Sequence, residues 1–350
     1  MLFQEMDYPD TASAPVRREA KPRAGLYILV VLAAMVGAFA FHMRGAGIFA
    51  CPATAYGDNR YLAYCQGSAY GDYDHGAVWF GLEPGVREAA AAADVLFLGN
   101  SRLQFGFSAP ALGQWFEDAG ARYYLLGFSH NETAKFTEPL LADLQPQARA
   151  YVINVDKFFF ERESPPAEEV MHAPDAATRY AAKRKWQAPH RLLCGALPLL
   201  CGNEISFYRQ RDTGAWRYDG SNGIVAQTVK DDSPDYTGGD PRLIAEVSAN
   251  ARSFEAFLDG LGVPRDCVVL TYVPSTENNR RLANAIAAAV GLDLIAPDGK
   301  GLHTIDGSHL DRESAQVFTT DFLALAGPRL AQCLDGTASQ GPGANRPAAG

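Results

Sequence analysis

From residue 94 onward, short apolar runs closed by glycine or asparagine alternate with stretches of helical period, and this alternation constrains the fold more than any other feature. The run Asp94-Val-Leu-Phe-Leu-Gly-Asn100 is too short for a helix and apolar throughout, which suits a strand buried on both faces. A helical stretch follows from Ala109 to Ala119, with Ser108 ahead of it as a cap and Leu112, Trp115 and Phe116 along one side. Arg122 to Phe128 predicts a second strand. Asn131 to Leu144 predicts a second amphipathic helix with Asn131 as its cap. Ala150 to Val155 predicts a third strand, running into Phe158, Phe159 and Phe160. The pattern lapses between Glu161 and about Asp240, a Pro-, Gly- and Arg-rich stretch holding Trp186 and Trp216 that reads as a large insertion or lid. It returns with a helix from Pro241 to Gly260, a strand from Cys267 to Val273, a helix from Thr276 to Val290, a short strand from Leu292 to Ala296 and a last helix from Asp311 to Leu325. Strands alternating with helices at this spacing predict a three-layer α/β domain, a mostly parallel sheet flanked by helices in the flavodoxin manner.

The composition agrees with a packed core: 47% hydrophobic residues, 11% aromatic and 20% charged exclude disorder for most of the 350 residues. Forty acids against 31 Lys and Arg give a net charge of -9, which leaves no broad basic surface for phosphates and excludes nucleic acid as a partner. No Gly-rich phosphate loop, HExxH, paired-carboxylate or Cys/His zinc spacing is present, so neither a metal nor a cofactor is expected.

From Ala24 to Phe41 the chain reads AGLYILVVLAAMVGAFAF, without a charge. Arg17, Arg18, Lys21 and Arg23 precede it and Arg44 follows. The apolar run predicts one transmembrane helix over 24–43, and the cations keep residues 1–23 cytoplasmic. The remainder then lies outside the inner membrane, in the periplasm. Two competitors are a cleaved signal peptide ending at Ala38-Phe39-Ala40 and, more weakly, a lipoprotein using Cys51. Residues 44–85, rich in Gly, Tyr and Asp, read as an irregular linker, residues 86–330 as the α/β domain with its insertion at about 161–240, and 331–350 as a disordered tail. An extracytoplasmic address permits disulfides. The sequence-local pairs are Cys51 with Cys65 and Cys194 with Cys201, while Cys267 and Cys333 read equally well as buried free thiols.

Ligands of a parallel α/β sheet collect where strands end at their carboxyl edge. After the first strand stands Gly99-Asn100-Ser101-Arg102, and before the last helix stands Asp306-Gly307-Ser308-His309. A serine at one strand end, with Asp-x-x-His beside the final helix, supplies a nucleophile, a base and its orienting carboxylate. The bland readings are a helix-capping serine and a turn histidine.

These two blocks resemble those of the SGNH or GDSL-type esterases and acyltransferases. Gly99-Asn100-Ser101 is similar to the family's Gly-Asp-Ser, with Asn in the Asp place, and Asp306 and His309 match its closing Asp-x-x-His. The resemblance covers about residues 90–327. It implies an SGNH-hydrolase-like domain in which Ser101 is the nucleophile, His309 the base and Asp306 the carboxylate that holds the imidazole. The family's oxyanion hole draws on a glycine of a second block and an asparagine of a Gly-x-Asn-Asp block. No Gly-x-Asn-Asp exists here, and the candidate donors are Asn131 and Asn154, with His130 and Lys157 as further substrate contacts and Arg102 as a substrate contact or, more simply, one half of a structural salt bridge. Trp186, Trp216 and Tyr218 are candidates to stack on sugar rings or to pack the insertion.

The expected function is a membrane-anchored esterase or O-acyltransferase acting on acetyl esters of a cell-envelope glycan or another acylated small molecule, with envelope proteins as further partners. Two alternatives stay open. One is a non-catalytic binding or assembly component of an envelope polysaccharide system with a degenerate site. The other is an anion-binding domain using N–H groups around Asn100 and Ser101.

Overall fold

The computed structural model describes residues 24–43, 47–160, 162–219, 227–229, 241–276 and 280–336. The chain divides into two units, Met1–His42 and Met43–Gly350.

The first unit is built on helix α1 (Ala24–Met43), which has no charged residue and exposes Leu26, Ile28, Leu29, Met35 and Phe39. Among the described residues no helix is long and apolar enough to cross a membrane, so the expected span is not supported.

In the second unit the strands are β1 (Arg60–Cys65), β2 (Gly71–Asp72), β3 (Val95–Asn100), β4 (Tyr123–Phe128), β5 (Ala150–Asn154), β6 (Ser206–Gln210), β7 (Trp216–Asp219), β8 (Gln227–Thr228), β9 (Val268–Thr271) and β10 (His303–Thr304). The helices are α2 (Asp74–Trp79), α3 (Val86–Ala91), α4 (Ser101–Gly106), α5 (Ala109–Asp118), α6 (Ala134–Leu144), α7 (Pro165–His172), α8 (Ala176–Ala196), α9 (Pro241–Gly260), α10 (Arg280–Ala289) and α11 (Arg312–Leu334).

The main sheet has the order β4-β3-β5-β9 and all its pairings are parallel. Every residue of these strands is buried. Alternate side chains enter two different cores, as the pleat dictates. Leu96, Leu98, Leu126, Ile153 and Leu270 pack with Phe136 of α6, Phe257 of α9 and Ile286 of α10. Val95, Phe97, Leu125, Val152 and Val269 pack with Leu103 of α4, Phe116 of α5 and Phe318 of α11. This is the expected helix–sheet–helix layering. In chain order the strands lie 2-1-3-4, and Leu294 adds a parallel bridge to Leu270 where a fifth strand was expected. The order reverses between β3 and β5, so the crevice for a ligand opens beyond their carboxyl ends.

The linker expectation is corrected. Residues 44–85 are not an irregular linker, because they supply β1, β2 and α2 and bury Cys51, Tyr61, Leu62 and Tyr73 completely. Their β1 pairs antiparallel with β6 of the expected insertion, Tyr61 opposite Arg209, making a second sheet of order β2-β1-β6-β7. That sheet covers the exposed edge of β4. Arg209 is fully buried, donates to the carbonyls of Leu125 and Gly127, and is paired with Asp74 of α2 at 2.6 Å. The amide of Leu125 donates to Thr213 O at 2.8 Å. Gly214 has φ +69, and a Cβ there would lie 2.3 Å from Leu125 O, so only glycine permits this approach. An edge strand left bare would invite pairing with another chain, and the second sheet removes that hazard.

All six cysteines are paired: Cys51–Cys65, Cys194–Cys201 and Cys267–Cys333. The free-thiol reading of Cys267 and Cys333 therefore falls. Helix α11 runs nine residues past its expected end at Leu325, to Leu334, and into the segment read as a tail. The rest of that tail, 337–350, lies outside the described residues.

Candidate active site

Strand β3 ends at Asn100, whose extended backbone and side-chain oxygen cap α4 by accepting the Arg102 N–H at 2.9 Å. Ser101 is thereby the first residue of α4, at the carboxyl edge of the sheet. The second half of the site is a tight loop ahead of α11. Gly307 takes φ +84, its N–H donates to Thr304 Oγ1 and its carbonyl accepts from both Thr276 N and Thr276 Oγ1. Asp306 Oδ1 accepts the backbone N–H groups of Ser308 and His309, each at 2.9 Å. The loop is fixed before any substrate arrives.

These two halves, 208 positions apart, meet. His309 Nε2 lies 2.8 Å from Ser101 Oγ and His309 Nδ1 2.7 Å from Asp306 Oδ2. A carboxylate only accepts, so Nδ1 carries the proton and Nε2 of the neutral ring faces the serine hydroxyl as an acceptor. Burial works against the charge on Asp306. The hydrogen bond and electrostatic attraction from the His309 ring and the two backbone N–H groups nonetheless draw its carboxyl down to about 2. A permanently ionised partner is what an imidazole needs in order to become imidazolium during a reaction.

Beneath the triad lies a buried ion pair. Arg102, 2% exposed, donates from Nη1 to Asp156 Oδ2 at 2.7 Å and from Nε to Ser308 Oγ at 3.0 Å. Asn100 Nδ2 donates to the same Asp156 oxygen at 3.3 Å. Arg102 thus fastens the nucleophile loop, the loop after β5 and the Asp306–His309 loop together, the structural salt bridge expected of it rather than the substrate contact. The same contacts explain asparagine at position 100. An Asp there would accept from Arg102 N equally well but would oppose the carboxylate of Asp156.

The candidate donors are spread over neighbouring loops. His130 and Asn131 follow β4 with φ of 61° and 52°, two consecutive left-handed non-glycine residues, a conformation held only where the surroundings enforce it. Asn131 is half-buried and makes no hydrogen bond to a described residue. The cap of α6 is Thr133 instead, which corrects the expectation for Asn131. His130 is exposed and within 2.6 Å of Ser129 Oγ, which donates to Asp72. Partial desolvation of its ring by the surrounding loop, aided by charge on His75, holds His130 below the ordinary imidazole value against the pull of Asp72 and Glu132. Asn154 is the last residue of β5, fully buried, with Oδ1 accepting from Val273 N at 3.0 Å and Nδ2 without a partner. Lys157 is half-buried in the turn after β5. No hydrogen bond joins Asn131, His130 or Asn154 to the triad among the described residues.

Sequence reasoning missed two features. Phe105, one helical turn after Ser101, sets its ring 4.7 Å from that of His309; the i, i+4 spacing from the serine was the available signal. The other is a buried network on the expected linker. His75, fully buried, lies 3.0 Å from Asp72 and 2.7 Å from Glu132, and Ser164 also donates to Glu132. Burial opposes its charge, but the two carboxylates lift His75 to about 10, so it is an imidazolium tying α2 to the loop before α6. Of the three aromatic candidates, Trp216 and Tyr218 stand on β7 beside Phe207, whereas Trp186 is exposed on α8 against Phe49. His190, Cys194 and Cys201 lie close enough to share a metal, but the two sulfurs are joined to each other and offer no thiolate.

Comparison with protein-family models, with curated proteins and with solved structures finds no match.

Proposed function

We infer that this chain is a serine esterase or O-acyltransferase with the catalytic logic of the SGNH hydrolases, acting outside the cytoplasm on acetyl esters of a cell-envelope glycan. The observation that carries this reading is the continuous hydrogen-bonded path Ser101–His309–Asp306, with both separations under 3 Å. In the reaction Ser101 Oγ attacks the ester carbonyl while His309 Nε2 takes the hydroxyl proton. The tetrahedral intermediate then expels the alcohol, which receives that proton from His309, and the acyl group stays on Ser101. Water or a sugar hydroxyl, deprotonated by the same nitrogen, attacks the acyl-enzyme and releases the serine. Asp306 holds the ring and stabilises the imidazolium in both halves.

Extracytoplasmic placement is supported by the three disulfides, which persist in oxidising compartments. Anchoring through α1 is part of the proposal, supported by its uncharged sequence and exposed apolar side chains. A non-catalytic role in assembly is favoured by one observation: Asn154 is fully buried, so its unpartnered Nδ2 is closed off from a substrate oxyanion. The test is a fluorophosphonate probe and a p-nitrophenyl acetate assay on the full chain in detergent, beside Ser101→Ala. Labelling and turnover that vanish in the variant support the enzyme; equal background in both removes it.

A further inference from the structure

The face of the second sheet that adjoins the triad is made of aromatic rings. Tyr64 pairs with Phe207 across β1 and β6, and Phe207 with Tyr218 across β6 and β7. The pleat places Tyr64, Phe207, Trp216 and Tyr218 on one face. Tyr64 stacks on Phe207 at 5.6 Å and 13°, and Phe207 on Trp216 at 5.2 Å and 12°. Phe105 stands edge-on to Phe207 at 5.2 Å and touches the ring of His309 on its other side. At the far end Tyr64 meets His130 at 5.8 Å. Ring contacts therefore run unbroken from the catalytic histidine to the loop after β4.

Five of these rings, Tyr64, Phe105, Phe207, Trp216 and Tyr218, are only half-buried. Large aromatic surface kept open to water in one contiguous band beside a nucleophile marks a binding surface. We propose that this aromatic band is a carbohydrate subsite that seats pyranose rings of the substrate next to Ser101. The inference deepens the esterase reading and rests on it. The chemistry of the band selects the occupant. The C–H face of a pyranose packs on flat rings, while its equatorial hydroxyls need polar groups at the rim, and half-buried Tyr64 with its hydroxyl and the exposed His130 imidazole stand at the Tyr64 end of the band. A fatty acyl chain calls for an enclosed aliphatic slot, and none of the rungs is aliphatic. A ring resting on Phe105 and Phe207 would carry its ester next to the His309 side chain, and neighbouring sugars would run on toward Tyr64.

The test measures glycan binding to the full chain in detergent, made inert by Ser101→Ala, with N-acetylglucosamine hexamer, acetylated xylan and acetylated alginate as probes. At least one probe is expected to bind, and adding Phe207→Ala or the milder Tyr64→Ser is expected to weaken it by about tenfold or more, the scale of losing one aromatic anchor. Leu325→Ala, an exposed position in the second half of α11, serves as the control, and circular dichroism checks that each variant folds. The proposal is overturned if no probe binds, or if both band variants bind as tightly as the parent. It is also overturned if, with Ser101 intact, they lower turnover of p-nitrophenyl octanoate relative to the acetate and leave glycan binding unchanged, which would make the band an acyl slot. Failure of the esterase reading looks different: Ser101 would resist fluorophosphonate while glycan binding persisted.

Discussion

At the residue scale the reactivity of Ser101 depends on which atoms His309 presents. Asp306→Asn replaces the acceptor of Nδ1 with an amide that can turn a donor toward it, favouring the wrong tautomer, so Nε2 would carry the proton and face Ser101 as a donor. The expected loss in kcat is ~10³–10⁴-fold, with KM for p-nitrophenyl acetate little changed, read from steady-state kinetics. Asp306 also links stability to pH. Its folded carboxyl titrates at about 2, below its ordinary value of 3.8. The stability it contributes is therefore complete above that ordinary value and is lost as pH falls toward 2. Arg102 belongs to a different class of effect. Arg102→Met leaves the fully buried Asp156 carboxylate facing an apolar side chain, and removal of one partner from a buried pair costs about 3–5 kcal/mol. A urea titration should show the midpoint falling by that equivalent, with activity lost because Ser308 is released. The triad was legible because each block is local: Gly-Asn-Ser at a strand end and Asp-x-x-His before a helix. The task of Arg102 was not, since its two partners, Asp156 and Ser308, come from distant loops that only the fold brings together.

At the element scale, the parallel strands could be read because burial on both faces makes each one a continuous apolar run, as in Val95–Leu98 and Tyr123–Leu126. The second sheet escaped notice for the converse reason. The partner β1 precedes the main sheet in sequence while β6 falls between β5 and β9, and their pairing is fixed by Arg209, Asp74 and Gly214 rather than by local pattern. The helix starts were misread by a few residues where the loop carries strain, as at Asn131, because a left-handed turn and a helix cap use the same residue types. Gly214→Ala tests the docking of the second sheet on β4. The added methyl meets a carbonyl, not a flexible side chain, and overpacking of this kind costs about 1–3 kcal/mol, measurable as a shifted denaturation midpoint. The buried imidazolium of α2 gives a pH signature. Its folded value of about 10 lies above the ordinary imidazole value of 6.5, so its contribution is complete below that ordinary value and is lost as pH rises through 10. The thermal midpoint of the wild type is expected to fall between pH 7 and pH 10.5, and to fall less in His75→Gln; equal slopes would show that His75 is not charged in the folded chain.

At the scale of the whole molecule, one long-range link secures the catalytic end of the chain. Helix α11 follows the His309 loop directly, with Asp311 as its cap, and packs Phe318 and Phe322 on Phe107 at the end of α4, in the core on the sheet face that holds Phe97. Its far end is joined by Cys333 to Cys267, the residue before β9. The local cysteine pairs were readable from proximity in sequence, whereas this pair, with a separation of 66, is visible only when the last helix is laid along β9. Closing a loop of that size removes chain entropy worth about 4 kcal/mol from the unfolded state. The double variant Cys267→Ser/Cys333→Ser should unfold at correspondingly lower denaturant. Its folded fraction should still react with a fluorophosphonate, because neither sulfur contacts Ser101, His309 or Asp306 and the His309 loop is held independently by Thr276 and Thr304. Loss of labelling in material that still shows a cooperative unfolding transition would mean that the disulfide positions the triad as well as stabilising the chain.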